Sequence, residues 1–193
     1  CKAEVIDNKS FGDEIRDYTL KLNKNYFFES VTFLLLTLEE KEDYTRWPES
    51  RNFTIASAYN EDGIIRLIIR KVGYYTSRIF DELQVGKMCV VKYSFGDFML
   101  PFYDQTNPIC CIVAGTGVAP VLGFCEELDK KSQLERLHVF YSFKNKDEAV
   151  GLDILKKYVP ANQLYLHSTR EEVDNTTNRR ILEKDIMVSI RNP

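Results

Sequence analysis

From Ile109 onward the sequence alternates between short apolar runs and amphipathic stretches, and that alternation restricts the fold more than any other feature of the chain. Ile109 to Ala114 is apolar throughout, and Val118 to Lys131 places Val121, Leu122, Cys125 and Leu128 at helical spacing. Leu137 to Ser142 predicts a second strand, Asp147 to Tyr158 a second helix opened by two acids, and Gln163 to Ser168 a third strand. Arg180 to Met187 predicts a last short helix. Strand, helix, strand, helix, strand in that order builds a parallel sheet with right-handed crossovers. The apolar run Pro108 to Ala114 is expected to be a buried strand of that sheet.

The first hundred residues follow a different rule. Lys2 to Asn8, Ile15 to Leu22, Val31 to Leu38, Asn52 to Ser57, Gly63 to Lys71 and Met88 to Tyr93 all read as strands, punctuated by Gly12, Gly63, Gly73, Gly86 and Gly96. Only Thr76 to Leu83 looks helical, with Ile79, Phe80 and Leu83 on one face. Many short strands with one helix predict a small antiparallel barrel or sandwich. Glu39 to Ser50 reads as a polar, exposed loop carrying Trp47. The expected architecture is therefore two domains: an antiparallel β-barrel over 1–104, then an α/β parallel-sheet domain over 105–193. The boundary is placed in the proline-flanked stretch Pro101 to Pro108.

Composition narrows the function classes. A formal net charge of −3 gives no reason to expect a nucleic-acid partner. No apolar run approaches the ~18 residues of a membrane span. The cysteines, Cys1, Cys89, Cys110, Cys111 and Cys125, match no zinc or iron–sulfur spacing. Their odd number, with no secretory leader, leads to the expectation of a reducing setting, the cytoplasm or an organelle interior.

In a parallel α/β sheet, ligands bind beyond the carboxyl ends of the strands. The distinctive residues fall there each time: Gly115-Thr116-Gly117, then Ser142-Phe143-Lys144-Asn145, then Ser168-Thr169-Arg170. Glycines, hydroxyls and cations in those loops suit phosphates and sugar hydroxyls. The glycine turn departs from the dinucleotide fingerprint, because Pro120 stands where its third glycine would be and Lys144 where an acid would hold the ribose. In the first half, Arg51 is a bidentate phosphate ligand, Phe53 a cover for a flat ring and Thr54 a hydrogen-bonding group for a ring edge. Strand alternation sets Arg51, Phe53 and Ile55 on one face and Asn52 and Thr54 on the other. An edge-on approach or a bulge is then needed for Phe53 and Thr54 to meet one ring. Gly73 to Ser77 opens the helix of this half, either as an anion site or as an ordinary cap made by Thr76 or Ser77. His138 and His167 lie in strands and read as structural.

Taken in order, Arg51-Asn52-Phe53-Thr54, Gly73 to Ser77 and Gly115-Thr116-Gly117-Val118-Ala119-Pro120 resemble the flavin and nicotinamide sites of the ferredoxin–NADP reductase family, and Gly96-Asp97-Phe98 is similar to the segment that closes its barrel. The resemblance implies a flavin, FAD with FMN possible, whose phosphate is held by Arg51. Phe53 would stack on the isoalloxazine in place of the usual tyrosine, and Thr54 would approach N5, the residue nearest the chemistry. Ser57, Gly73, Tyr75, Thr76 and Ser77 would complete that site. It also implies NADP(H) bound by Gly115, Thr116, Gly117 and Lys144, with Ser168, Arg170 and either Arg179 or Arg180 at the 2′-phosphate. Two departures stand out. Glu29-Ser30-Val31-Thr32-Phe33 lacks the glycine that often precedes the flavin motif. The family's further strand, ending in a Cys-Gly motif at the nicotinamide, has no counterpart before Pro193.

The implied activity is hydride transfer from NADPH to flavin, followed by single-electron transfer to a small carrier such as ferredoxin or flavodoxin. An NADH-dependent reductase component of an oxygenase or other multisubunit oxidoreductase, and a non-catalytic flavin-binding module, are the alternatives. An acidic carrier calls for a basic docking face, and the candidate cations are Arg46, Arg51, Arg66, Arg70, Lys71 and Arg78.

Overall fold

The computed structural model describes residues 1–40, 45–98 and 106–191, the last four by their backbone alone. Six strands form one antiparallel sheet: β1 (Lys2–Phe11), β2 (Ile15–Leu22), β3 (Phe33–Thr37), β4 (Arg51–Thr54), β5 (Ile64–Arg70) and β6 (Met88–Phe95). Their spatial order is β4-β3-β6-β1-β2-β5. The two outermost strands then meet. Ile55 bridges Leu67 in antiparallel fashion, and the Ala56 N–H donates to the Arg66 carbonyl at 2.8 Å, curling the sheet into a barrel. The inward residues Val5, Tyr18, Leu20, Leu34, Leu36, Ile55, Ile65 and Leu67 fill it. Helix α1 (Tyr74–Glu82) closes one side through Tyr75, Ile79 and Phe80. It begins two residues before the predicted start, because the Thr76 hydroxyl accepts the Val72 and Gly73 N–H groups and caps the turn.

The second sheet is parallel, in the order β10-β9-β8-β7, from β7 (Ile109–Ala114), β8 (Leu137–Phe143), β9 (Leu164–Ser168) and the two-residue β10 (Thr177–Asn178). Helices α2 (Ala119–Lys130) and α3 (Leu152–Tyr158) cover one face, packing on Leu137, Val139, Tyr141 and Phe143. Helix α4 (Glu183–Arg191) follows β10. Two expectations need correcting. Asp147 to Tyr158 is not one helix: a 3-10 turn over Lys146–Glu148 ends, Gly151 adopts φ +74, and α3 starts only at Leu152. Strand β7 is not buried throughout. It ends the sheet among the described residues, so Cys110, Ile112 and Ala114 are exposed on the face away from α2.

The two sheets are packed on each other. Ile15, Ala56 and Ile68 of the barrel lie in the same apolar cluster as α2. Gly123 in α2 passes so close to the 55–57 backbone that a Cβ there would sit 3.5 Å from the Ser57 carbonyl oxygen. The half-buried Glu126 carboxylate accepts the Ala58 N–H at 2.8 Å, and burial raises its pKa against the opposing effect of that bond. The expected boundary at 104/105 lies outside the described residues.

Candidate functional site

Two cavities lie where the barrel meets the carboxyl ends of the parallel strands. The first, of about 660 Å³, is lined by Arg51, Asn52 and Phe53 of β4, Ile68 and Arg70 of β5, and Val72 to Thr76 at the start of α1, with Thr116 at its far side. The second, of about 270 Å³, is lined by Arg70, the Ala114-Gly115-Thr116 turn, Ser142 to Lys144 after β8, Glu148, and Thr169 after β9. Arg70 and Thr116 line both, so the two spaces adjoin.

In the larger cavity the polar and flat groups are set by their neighbours. The Tyr75 hydroxyl donates to the Glu49 carbonyl at 3.0 Å and accepts the Leu38 N–H at 3.2 Å, which fixes its ring. The Arg51 guanidinium stands 4.6 Å from the centre of that ring and pairs with Glu49 at 2.9 Å. Phe53, half-buried, leans on the barrel core while lining the cavity. Nothing lies within 4 Å of where a Gly73 Cβ would be, so the wall is open there. A volume of several hundred Å³, a cation at one end and an aromatic wall match what a bound flavin requires. The residues present therefore fit such a group.

The smaller cavity carries more charge than the sequence suggests. Arg70 donates to Glu14 at 2.8 Å and to Glu148 at 2.8 Å, and Lys144 lies 3.2 Å from the same Glu148 carboxylate. Burial opposes the charge on Glu148, but hydrogen bonds from Arg70 and Lys144 outweigh it and hold the carboxyl below its ordinary value. Gly115, at φ +51, makes the turn out of β7, and a Cβ there would meet the Arg70 guanidinium at 3.5 Å.

All three strand-end loops named from the sequence converge on this cavity, yet the residues within them divide. Gly115, Thr116 and Lys144 line it, whereas Gly117 is exposed and lines neither cavity. Ser168 is fully buried, and its hydroxyl donates to the Glu171 carbonyl at 2.5 Å. Arg170 and Arg180 are exposed and outside both linings, although the Arg170 N–H donates to the Lys144 carbonyl at 2.9 Å. On the flavin side Arg51, Phe53, Gly73, Tyr75 and Thr76 line the cavity. Thr54 does not: regular strand alternation turns it away from Phe53, and it is half-buried opposite Phe33 of β3. Ser57 is buried and accepts the Arg66 N–H at 3.2 Å, and Ser77 lines neither space.

Among the proposed docking cations, Arg66 forms a largely buried ion pair with Asp17, and Arg70 is shared between two carboxylates; neither is a free surface charge. Arg78 pairs with Glu82. Sequence reasoning missed Arg70 and Glu148 as cavity residues, and it missed a third cavity of about 680 Å³. That one lies on the other face of the parallel sheet, beside Tyr165, His167, Arg179 and α4, and shares no lining residue with the first two. Both histidines are buried, His138 next to Gln163 and His167 next to the Arg179 carbonyl. Among the described residues no group of three or more metal-ligating side chains exists. No helix there is long and apolar enough to cross a membrane.

No protein-family model matches the chain. A ferredoxin NADP+ reductase from Neisseria gonorrhoeae, solved with bound FAD and NADP, superposes with a TM-score of 0.78 at 16% identity, over 100% of this chain and 80% of that one. This chain shares that protein's two-domain fold, an antiparallel barrel followed by a parallel-sheet domain. In sequence, the reductase component 1 of terephthalate 1,2-dioxygenase from Comamonas sp is 28% identical over 146 residues, covering 74% of this chain and 41% of the relative. The ferredoxin–NAD(P)(+) reductase component of the naphthalene 1,2-dioxygenase system of Pseudomonas putida is 22% identical over 195 residues, covering 96% of this chain and 57% of the relative. This chain spans about half the length of these curated relatives.

Proposed function

We propose that the chain is the flavin- and nicotinamide-binding part of an oxidoreductase. In this reading residues 1–104 hold FAD, or FMN, and residues 105–193 hold NAD(P)H. The observation that supports the reading is the junction of the two cavities at Arg70 and Thr116, where a flat-ring site would adjoin a phosphate site. A flavin bound in the larger cavity would supply the chemistry, taking a hydride from the nicotinamide and passing electrons on singly. The protein's part is to bind and orient. Arg51 holds phosphate, Phe53 covers the ring, the open wall at Gly73 admits the phosphate chain, and the Gly115-Thr116 turn lets the nucleotide backbone approach. No side chain needs to move a proton.

NADPH is the proposed nucleotide, with Arg170 as the cation for its 2′-phosphate. Ser168 is buried, with its hydroxyl bonded to the Glu171 carbonyl, so Arg170 is the group proposed to make that contact. The electron acceptor is a small carrier such as ferredoxin or flavodoxin, and the setting proposed is the cytoplasm or an organelle interior. The names of the sequence relatives favour a second partner reading, the reductase component of an oxygenase. The test is steady-state reduction of a dye by NADPH and by NADH, with flavin-loaded and flavin-free protein. Activity in the loaded form alone supports the reading, whereas a loaded protein inert with both nucleotides leaves a non-catalytic flavin module.

A further inference from the structure

The nucleotide cavity contains its own anions. Arg70 reaches it from β5 of the barrel and Lys144 from the loop after β8, and both cations are held by carboxylates. Glu14, on the turn between β1 and β2, takes Arg70 Nη1 at 2.8 Å and lies 3.9 Å from Lys144 Nζ. Glu148 takes Arg70 Nη2 at 2.8 Å and Lys144 at 3.2 Å. Two cations and two carboxylates make the cluster formally neutral, although Arg70, Lys144 and Glu148 line a space whose other walls include the Gly115-Thr116 turn, Ser142 and Thr169. Glu148 is well fixed: its N–H is bonded to Asn145 Oδ1 at 2.9 Å, and its side chain is 15% exposed.

We propose that Glu148, assisted by Glu14, is an internal counter-anion, which Arg70 and Lys144 give up to the phosphate of an incoming nucleotide. The carboxylates thus set nucleotide affinity. In the empty site they keep two close cations from repelling each other, and in the filled site they oppose the ligand's negative charge. The trade also links the two domains, because Arg70 belongs to the barrel and Glu148 to the parallel-sheet domain. Nucleotide binding would therefore loosen an ion pair that spans the interface.

This inference rests on the nucleotide reading of the cavity, and one titration separates the two. Flavin-loaded wild-type protein, Glu148→Gln and Glu14→Gln are titrated by calorimetry with NAD+ and NADP+, which leave oxidised flavin unchanged. Glutamine keeps the shape and the Asn145 cap while removing the charge. Expected is a Kd lower by about three- to tenfold for Glu148→Gln and by about twofold for Glu14→Gln, since Glu14 is more exposed and better screened. If the wild type binds and Glu148→Gln binds equally or more weakly, the carboxylate is a positioning group and the inference falls alone. If neither wild type nor variants bind any nucleotide, the reading of the cavity falls with it. Should Glu148→Gln fail to fold, the surface variant Glu14→Gln decides: tighter binding supports the trade, and unchanged binding overturns it.

Discussion

Replacing Arg51 with alanine separates a ligand contact from a structural one. Arg51 pairs with Glu49 at 2.9 Å, with both side chains about half exposed, and lies over the Tyr75 ring. An exposed ion pair contributes roughly 0–1 kcal/mol, and an exposed cation–π contact about 0.5–1 kcal/mol. Tyr75 keeps its own hydrogen bonds to Glu49 and Leu38 in the variant, so the wall of the cavity should survive. Unfolding free energy should then fall by about 0.5–2 kcal/mol. Flavin binding should lose a charge-assisted phosphate contact of roughly 1.5–3 kcal/mol, or about ten- to 150-fold in Kd. The assay is quenching of flavin fluorescence on titration with FAD and FMN, alongside thermal unfolding of the flavin-free protein. A Kd within twofold of wild type refutes the assignment of Arg51 to phosphate. A loss of flavin-free stability as large as the loss of affinity shows that the side chain acts through the fold.

Gly151→Ala should destabilise the protein by about 2–4 kcal/mol, because a Cβ at φ +74 is strained and would lie 2.8 Å from Cδ1 of the buried Leu122; chemical denaturation checks this. Arg170→Ala should raise the KM for NADPH several-fold and leave that for NADH nearly unchanged. Equal effects on both would place Arg170 at a shared group. Reduction of ferredoxin or flavodoxin should slow steeply between low salt and about 0.1 M, where screening acts within ~10 Å, while reduction of a neutral dye stays flat. The surface charges available for that steering are fewer than the sequence implied, because Arg66 and Arg70 are internally paired.

What could be read from the sequence was local periodicity. Strand β2 runs from Ile15 to Leu22 and β7 from Ile109 to Ala114, the limits their apolar patterns imply. The convergence of three loops was also legible, because chain direction in a parallel sheet places every carboxyl end on one side. What escaped depends on distant partners. Gly151 breaks a plausible helix where the chain passes Leu122 of α2. Glu148 looked like a helix-start acid, but its ionic partners are residues 70 and 144. Arg70 reads in the sequence as a docking cation, but its partners are Glu14 and Glu148. Ser168 carries a suitable hydroxyl in a suitable loop, but it points into the protein and is bonded there. The resemblance puts Thr54 at the flavin, whereas regular pairing of β4 sets it opposite Phe33 of β3 and on the other face from Phe53.

The central claim, that these adjoining cavities set a flavin against a nicotinamide, is tested most directly by one spectrum. Protein loaded with FAD is mixed anaerobically with a stoichiometric amount of NADPH, and the visible absorbance of the bound flavin is followed in time. The absorbance should bleach and return when air is admitted. Flavin that binds stoichiometrically yet keeps its oxidised spectrum with both NADPH and NADH would contradict it.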